Sequence, residues 1–235
     1  MAETYKLLSV IIPVYNEQST ISEVIEKVSA VVLPIEKEII VVDDGSTDGT
    51  GEILELRQNQ ITETYITPIN VGKGAAVRIG LKLVKGDIIL IQDADLELDP
   101  NEYRQLLEPI LTGKSSAVFG SRFLKKNPVP RFRKMVNYLL TLLTNILYGT
   151  NLTDMATAYK VFTKEIAENL KLKANRFEID AEITAQLAKL KIKIIEIPIS
   201  YQPRTRSEGK KINWKDGVRH VITLLKYRFL KPKNW

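Results

Sequence analysis

The sequence predicts an α/β protein: a mostly parallel sheet with helices on both faces. Two observations predict it. Strand-like apolar runs alternate with helical patterns through the first half of the chain, as a parallel sheet with crossover helices requires. The runs, 38–42 above all, lack alternation, so both faces of each strand are covered. With 235 residues, 44% hydrophobic and 26% charged, the chain has room for one domain with a full core, and disordered and fibrous classes are excluded.

In chain order, 7–14 reads as a strand and 19–31 as a helix with a serine cap, followed by a strand at 38–42 and a helix at 48–58. A short strand at 62–67, a helix at 72–84, a strand at 87–92 and a helix at 100–111 with proline in its first turn continue the rhythm, and 117–120 is a further strand. A basic linker, 125–130, then interrupts it. The uncharged run 135–153 is long enough to raise the question of a membrane span, but its pattern is that of an amphipathic helix, about 131–149. Asn137, Thr141, Thr144, Asn145 and Tyr148 share one face, opposite Val136, Leu139, Leu140, Leu143, Ile146 and Leu147. Such a helix either lies in a membrane interface or packs on a core. Strands at 158–162 and 191–199 flank a helix at 179–190, and a polar loop, 202–211, leads into a basic helix at 214–229. The expected division is a catalytic domain over 1–211 and a basic aromatic helix and tail over 212–235.

The net charge of +6 is unevenly distributed. From Tyr201 onward ten basic residues face two acids, and from Ser121 to Lys134 six basic residues meet none, so the remainder carries −8. An acidic body with two basic segments points to an anionic partner: nucleic acid, a phosphorylated substrate or a lipid surface. The absence of cysteine excludes disulfides, thiolate metal sites and a cysteine nucleophile. The N-terminal apolar run, broken by Pro13, reads as a strand and not as an export signal.

Polar residues gather at the ends of the early strands: Tyr15, Asn16 and Glu17, then Asp43 and Asp44, then Asp93 and Asp95. Ligands of open parallel sheets bind outside the carboxyl ends of the strands, so these residues predict one acidic cleft. Like charges gathered there need a compensating cation. Asp93 and Asp95, alternate residues of an extended segment, share a face and can approach one hard divalent ion that also grips a diphosphate. The calcium-loop spacing of Asp44, Ser46, Asp48, Gly49 and Glu55 is rejected because a buried strand precedes it where a helix is needed. The segment 70–80 resembles a phosphate loop, but Val77 replaces the third glycine and no Lys-Ser/Thr pair ends it. Lys73 can still reach a phosphate from that helix start.

Pro13-Val-Tyr-Asn-Glu17, Val41-Val-Asp-Asp-Gly-Ser-Thr-Asp-Gly-Thr50, Gly72-Lys-Gly-Ala-Ala, Gln92-Asp-Ala-Asp-Leu-Glu97, Gly120-Ser-Arg122 and Thr153-Asp154 stand in the order seen in family 2 glycosyltransferases of the GT-A fold. Over roughly 6–225 the chain most resembles the polyprenyl-phosphate (dolichyl-phosphate) mannose and glucose synthases, in the form that lacks transmembrane helices. The resemblance implies a Rossmann-like sheet with a single catalytic domain and amphipathic interface helices. It implies that Pro13, Tyr15, Glu17, Val42 and Asp44 hold the nucleoside, with Lys73, Asp93, Ala94 and Asp95 on the rest of a nucleoside diphosphate sugar such as GDP-mannose or UDP-glucose. Asp93 and Asp95, with Glu97, would bind Mg²⁺ or Mn²⁺, and Arg122, Arg133, Arg206 and Lys210 would meet the acceptor phosphate and leaving group. Ala158 departs from the family, where glycine or cysteine is usual.

Arginine suits the acceptor side because it pairs with phosphate bidentately and never deprotonates. Asp154 is either an acceptor-side organiser or a structural cap. Glu178, Asp180 and Glu182 read as a solvated face, and the single histidine, His220, as a surface or interface residue. Trp214, Tyr227, Phe229 and Trp235 among the C-terminal bases suit a lipid headgroup belt, a helix packed back on the domain, or both. The expected activity is metal-dependent, inverting transfer of a hexose to polyprenyl phosphate, peripherally at the cytoplasmic membrane face, with or without an anchoring partner protein. The alternatives are a polysaccharide or glycolipid acceptor, a non-catalytic anion-binding protein, and a nucleic-acid-binding protein; the acidic strand ends speak against the last.

Overall fold

The computed structural model describes residues 5–204, 211 and 214–229. Seven strands form one sheet in the order β3-β2-β1-β4-β6-β5-β7. Strands β1 (Leu7–Val14), β2 (Glu36–Asp43), β3 (Glu63–Ile66) and β4 (Ile88–Ile91) are parallel. The chain leaves β1 for one side, then returns to place β4 on its other side. Between β1 and β4 the winding therefore reverses, and the crevice opens at that switch point. Pro13 is tolerated in a central strand because the β4 ladder ends at Ile11↔Ile91, short of it. Beyond β4, β6 (Lys160–Thr163) is antiparallel to both β4 and β5 (Ala117–Ser121), and β7 (Ile194–Pro198) runs parallel to β5.

Alternate strand residues feed two cores. Val10 and Ile12 of β1 pack with Val24 and Ile25 of α1 (Ile21–Ala30) and Leu106 and Leu107 of α4 (Tyr103–Leu111). Ile11, between them, packs on the opposite face with Val77 of α3 (Lys73–Leu83) and with residues of α5 (Arg131–Tyr148), α7 (Ile179–Lys189) and α8 (Trp214–Phe229). Between these, α2 is Thr50–Leu56. The six-residue α6 (Lys164–Asn169), absent from the sequence reading, is too short to show a period.

Local chemistry moves some boundaries. Helix α1 has no serine cap: Thr20 precedes it, and its hydroxyl donates to Ala94 O (2.9 Å) and Glu17 instead, tying two strand ends together. Helix α2 starts after Asp48, whose Oδ1 accepts from Thr50 N (3.0 Å) and Thr50 Oγ1 (2.5 Å). Gly72, at φ 120°, admits no side chain: a Cβ there would lie 2.5 Å from Asn175 O, so the α3 N-terminus is pressed against the segment leading into α7.

Two sequence expectations are overturned. Helix α7 is no solvated face: Asp180 and Glu182 are buried, Glu182 accepting from Lys173 N, Ala174 N and Tyr227 Oη. His220 is buried too, its Nδ1 2.7 Å from Asp216 O, because α8 lies along α7 and α5 with that face inward.

Helix α5 settles between its two readings in an unexpected way. Its polar stripe, Asn137, Thr141 and Thr144, faces the protein; Thr144 donates to Leu140 O of its own helix, and the irregular backbone of 150–155 supplies partners to Thr141 and Asn145. Thr141 Oγ1 accepts from Met155 N (3.2 Å), and the Asn145 side chain both donates to Leu152 O and accepts from Leu152 N (2.9 Å each). The apolar stripe read from the sequence divides: Leu140 is buried and Val136, Leu143 and Leu147 pack against the core, while Leu139 and Ile146 (71% exposed) face outward together with Phe132 (70%), Met135, Tyr138 and Leu142. Helix α8 likewise exposes Trp214, Val218, Ile222, Leu225 and Phe229 at helical spacing while burying Leu224 and Tyr227.

Candidate active site

The switch-point cleft is lined by Pro13, Val14, Tyr15 and Glu17 after β1, Asp44 after β2, Asn70, Gly72, Lys73 and Ala76 around the α3 start, and Asp93, Ala94, Asp95 and Glu97 after β4. Arg176, Phe177, Arg204 and Lys211 close it. Of the strand-end residues named from the sequence, Tyr15, Glu17, Asp44, Asp93 and Asp95 thus converge on one site, while Asn16 and Asp43 do not line it and instead accept from Thr47 N and Ser46. Val42 does not line it: its side chain points to the α3 side with Ile40 and Ala76, because alternate residues of β2 face opposite ways.

Each cleft carboxylate has a cationic or backbone partner. Asp93 Oδ1 lies 2.6 Å from Lys73 Nζ. Burial alone would lower the Lys73 ammonium, but Asp93, Asp180 and Asp95 around it hold it above the usual lysine range, firmly charged. Asp44 accepts from Val71 N (2.9 Å) and Gly72 N (2.6 Å), fixing the loop before α3. Arg204 bridges Glu17 (2.7 and 3.1 Å) and Asp95 (3.0 Å), and Lys211 Nζ lies 2.5 Å from Glu17. Burial would raise the Glu17 carboxyl, yet the hydrogen bonds from Arg204 and Lys211 hold it below 4.5. These cations satisfy the charge of the strand ends, as the sequence argument requires of some cation.

Asp93 and Asp95 provide hard oxygen donors at the mouth of the cleft, the chemistry a Mg²⁺ or Mn²⁺ ion takes. Glu97 is differently engaged: its carboxylate accepts from Arg204 N (2.7 Å) and Tyr201 Oη (3.2 Å) and so anchors the 201–204 segment. Among the described residues no three acidic or histidine side chains converge as a closed metal cage. An open site of two carboxylates plus a substrate diphosphate is the pattern usual for Mg²⁺.

Beside the cleft, Arg122 and Asp154 form a fork. Arg122 Nε and Nη2 donate to Asp154 (2.7 and 2.8 Å), its backbone N donates to the same carboxylate (3.1 Å), and Nη2 reaches Ala156 O (3.1 Å). Asp154 is fully buried; its carboxylate takes the backbone N–H of Arg122 and fixes the guanidinium of the same residue. Glu196 takes the backbone N–H groups of Thr153 and Asp154, and burial raises its carboxyl above the ordinary range. Arg133 Nη1 donates to Arg204 O (3.1 Å), linking α5 to the cleft rim. Arg206 and Lys210 lie outside the described residues.

A second cavity opens along α5 between Phe123, Lys134, Asn137, Tyr138, Leu142, Leu152 and Thr153. Both polar atoms of the Asn137 amide are buried there without a hydrogen-bond partner among the described residues. The sequence pattern marked Asn137 only as part of the polar face of α5 and did not single out Arg176, Phe177, Arg204 or Lys211. Arg176 and Phe177 reach the cleft only because Gly72 and Gly74 let α3 touch the 174–176 backbone.

The winding reversal, with aspartates and cationic side chains gathered at the strand ends, is the architecture of a GT-A fold. The chain belongs to glycosyltransferase family 2: residues 9–171 match the model of that family, "Glycosyl transferase family 2". It is 30% identical over 236 residues to a dolichol-phosphate mannosyltransferase of Pyrococcus furiosus, covering 94% of this chain and 64% of that one. An undecaprenyl-phosphate mannosyltransferase of Micrococcus luteus is 29% identical over 211 residues, covering 85% of each chain. The chain spans about half to two thirds of the length of the longer relatives it matches. Among solved structures, glucosyl-3-phosphoglycerate synthase of Mycobacterium tuberculosis, in complex with Mn²⁺, UDP and glucosyl-3-phosphoglycerate, superposes with a TM-score of 0.74 at 21% identity, covering 96% of this chain and 81% of that one. No helix among the described residues is long and apolar enough to cross a membrane.

Proposed function

We propose that the chain is a metal-dependent, inverting hexosyltransferase that moves mannose or glucose from GDP-mannose or UDP-glucose to polyprenyl phosphate, bound peripherally at the cytoplasmic membrane face. One observation favours a lipid acceptor over a polysaccharide: α5 and α8 each present a row of exposed apolar side chains, and α5 borders a cavity that combines apolar walls with Lys134 and the Asn137 amide, unpartnered among the described residues. Lys125 and Lys126 precede α5, Arg131 and Arg133 lie in its first turn, and Lys215, Arg219, Lys226 and Arg228 lie on α8, as contact with anionic headgroups requires. Relatives named for dolichol phosphate and undecaprenyl phosphate support the same acceptor class.

On this reading Tyr15, Glu17 and Asp44 receive the nucleoside. Asp93 and Asp95 would hold Mg²⁺ or Mn²⁺, which when bound supplies Lewis-acid neutralisation of the departing diphosphate. Lys73, charged at the N-terminus of α3, adds positive charge to the same group. A phosphate monoester is largely dianionic at pH 7, so the acceptor needs no strong base. One of its oxygens forms the bond to the anomeric carbon as the bond from that carbon to the diphosphate oxygen breaks. The electron pair leaves on the diphosphate and no proton has to move. Arg122, held by Asp154, and Arg133 draw the acceptor dianion toward a diphosphate of the same sign.

Transfer of labelled hexose into the lipid phase tests the whole reading, and two variants test its parts. Asp93→Ala abolishes Mn²⁺-dependent transfer with the circular dichroism spectrum unchanged; full activity in that variant removes the metal site. Arg133→Ala raises KM for polyprenyl phosphate more than KM for the donor, and equal effects on both contradict its role.

A further inference from the structure

We infer that Gln92, Tyr159 and Lys160 are positioning residues that lock the metal-side carboxylate Asp93 and the acceptor-side fork Arg122–Asp154 into one frame. The inference rests on the transferase reading above. It starts from β6, the strand inserted antiparallel between β4, which delivers Asp93, and β5, which delivers Arg122. The turn 154–159 feeds that strand, with Asp154 at its start and Tyr159 at its end.

Gln92 is fully buried directly before Asp93. Its amide oxygen accepts from Tyr103 Oη and from Tyr159 Oη, each at 2.7 Å, and its Nε2 donates to Asp93 O at 2.9 Å. The two tyrosines meet edge to face with ring centroids 5.8 Å apart, and burial pushes both phenols up so that they stay neutral donors. Both acceptor positions of the amide are filled, so its rotamer, and with it the backbone of Asp93, has one arrangement.

Lys160, next in the chain after Tyr159, has no exposed surface. Its ammonium donates to Met155 O (3.1 Å), Thr157 O (2.5 Å) and Asp180 Oδ1 (3.2 Å), and sits 4.7 Å from the centroid of the Phe119 ring. All three donors of the ammonium are engaged. Burial lowers this lysine and the Asp180 charge opposes the shift. An apolar pair of similar volume stabilises a core as well as a buried ion pair does, so stability alone does not account for this one. What the ammonium adds is a grip on two carbonyls of the turn that carries Asp154. Neither Gln92 nor Lys160 lines either cavity, so both act through other residues.

The test uses the full chain and three measurements: thermal unfolding, Mn²⁺ affinity by electron paramagnetic resonance in the presence of UDP or GDP, and release of nucleoside diphosphate from the donor, which counts transfer to lipid or to water. Gln92→Met is expected to weaken Mn²⁺ binding about 10-fold, as loss of a group that orients a metal ligand does. Tyr159→Phe leaves Gln92 bonded to Tyr103 and Asp93, so Mn²⁺ binding and melting temperature hold while kcat falls about 10-fold with donor KM unchanged. Lys160→Met leaves Asp180 buried without its partner and melts early. Lys160→Met combined with Asp180→Leu recovers the melting temperature without recovering kcat, and Lys160→Arg recovers part of both. Wild-type Mn²⁺ affinity in Gln92→Met, or wild-type kcat in both Tyr159→Phe and the Lys160/Asp180 double variant, overturns the inference. A wild-type chain that binds Mn²⁺ with nucleotide but leaves polyprenyl phosphate unlabelled counts against the acceptor reading alone, and the Mn²⁺ result still decides Gln92.

Discussion

Replacing Asp154 by asparagine keeps the side chain's shape and removes its charge. In the native protein this fully buried carboxylate accepts three N–H groups of Arg122, at 2.7, 2.8 and 3.1 Å, and no other cation is within ion-pair distance of it among the described residues. The guanidinium is itself mostly enclosed, lying 5.2 Å from the centroid of the Tyr201 ring. Asparagine offers one acceptor atom where the fork needs two, and its NH₂ meets an N–H. Breaking one side of a buried pair costs about 3–5 kcal/mol. At about 2–4 °C per kcal/mol for a chain of this size, the melting temperature falls by about 6–20 °C. Thermal unfolding followed by circular dichroism, with urea unfolding alongside, reads this directly. A loss below about 1 kcal/mol refutes the assignment of Asp154 as the counter-charge that fixes Arg122.

Three further outcomes follow from the same structure. Glu17, held below 4.5 by Arg204 and Lys211, contributes stability that is fully present above its unfolded value and is lost as pH falls through the lowered one; the difference in stability between the wild type and Glu17→Gln is therefore constant above about pH 4.5 and shrinks below it, and a constant difference down to pH 3 contradicts this. Gly72→Ala places a Cβ 2.5 Å from Asn175 O at φ 120°, so it costs about 1–3 kcal/mol in backbone strain alone; an unchanged urea midpoint contradicts the close approach of α3 to the 174–176 segment. Ile146→Glu, on the exposed face of α5, leaves stability within about 0.5 kcal/mol but lowers co-sedimentation with anionic vesicles by about 10- to 100-fold, the loss of about 1.5–3 kcal/mol of apolar insertion; unchanged co-sedimentation contradicts membrane docking through α5.

Much of the fold was legible because its strands are continuous apolar runs and its helices carry strong periods: β1 and β4 fall where the pattern puts them. The acidic part of the cleft was legible for a related reason, since Asp44 follows β2 and Asp93 and Asp95 follow β4, both buried strands. Arg204 and Arg176 were not, because each reaches the cleft from a distant loop through tertiary contacts that leave no local period. The orientation of α5 was hidden for a physical reason. A polar stripe normally marks the wet face of a helix, but here the backbone of 150–155 lacks partners of its own and takes the stripe inward. Asp180, Glu182 and His220 were misjudged in the same way, as charges and polar atoms whose partners, Lys160, Tyr227 and the Asp216 carbonyl, lie 20 or more residues away or along α8.

The most direct measurement is transfer itself. The purified chain is incubated with Mn²⁺, polyprenyl phosphate in vesicles and labelled GDP-mannose, UDP-glucose or UDP-N-acetylglucosamine, and the label is followed into the organic phase. Label from GDP-mannose or UDP-glucose entering the lipid, dependent on Mn²⁺ and on Asp93, is the predicted result. No lipid label from any of the three donors, in a chain that binds Mn²⁺ with nucleotide, contradicts the assignment of polyprenyl phosphate as acceptor.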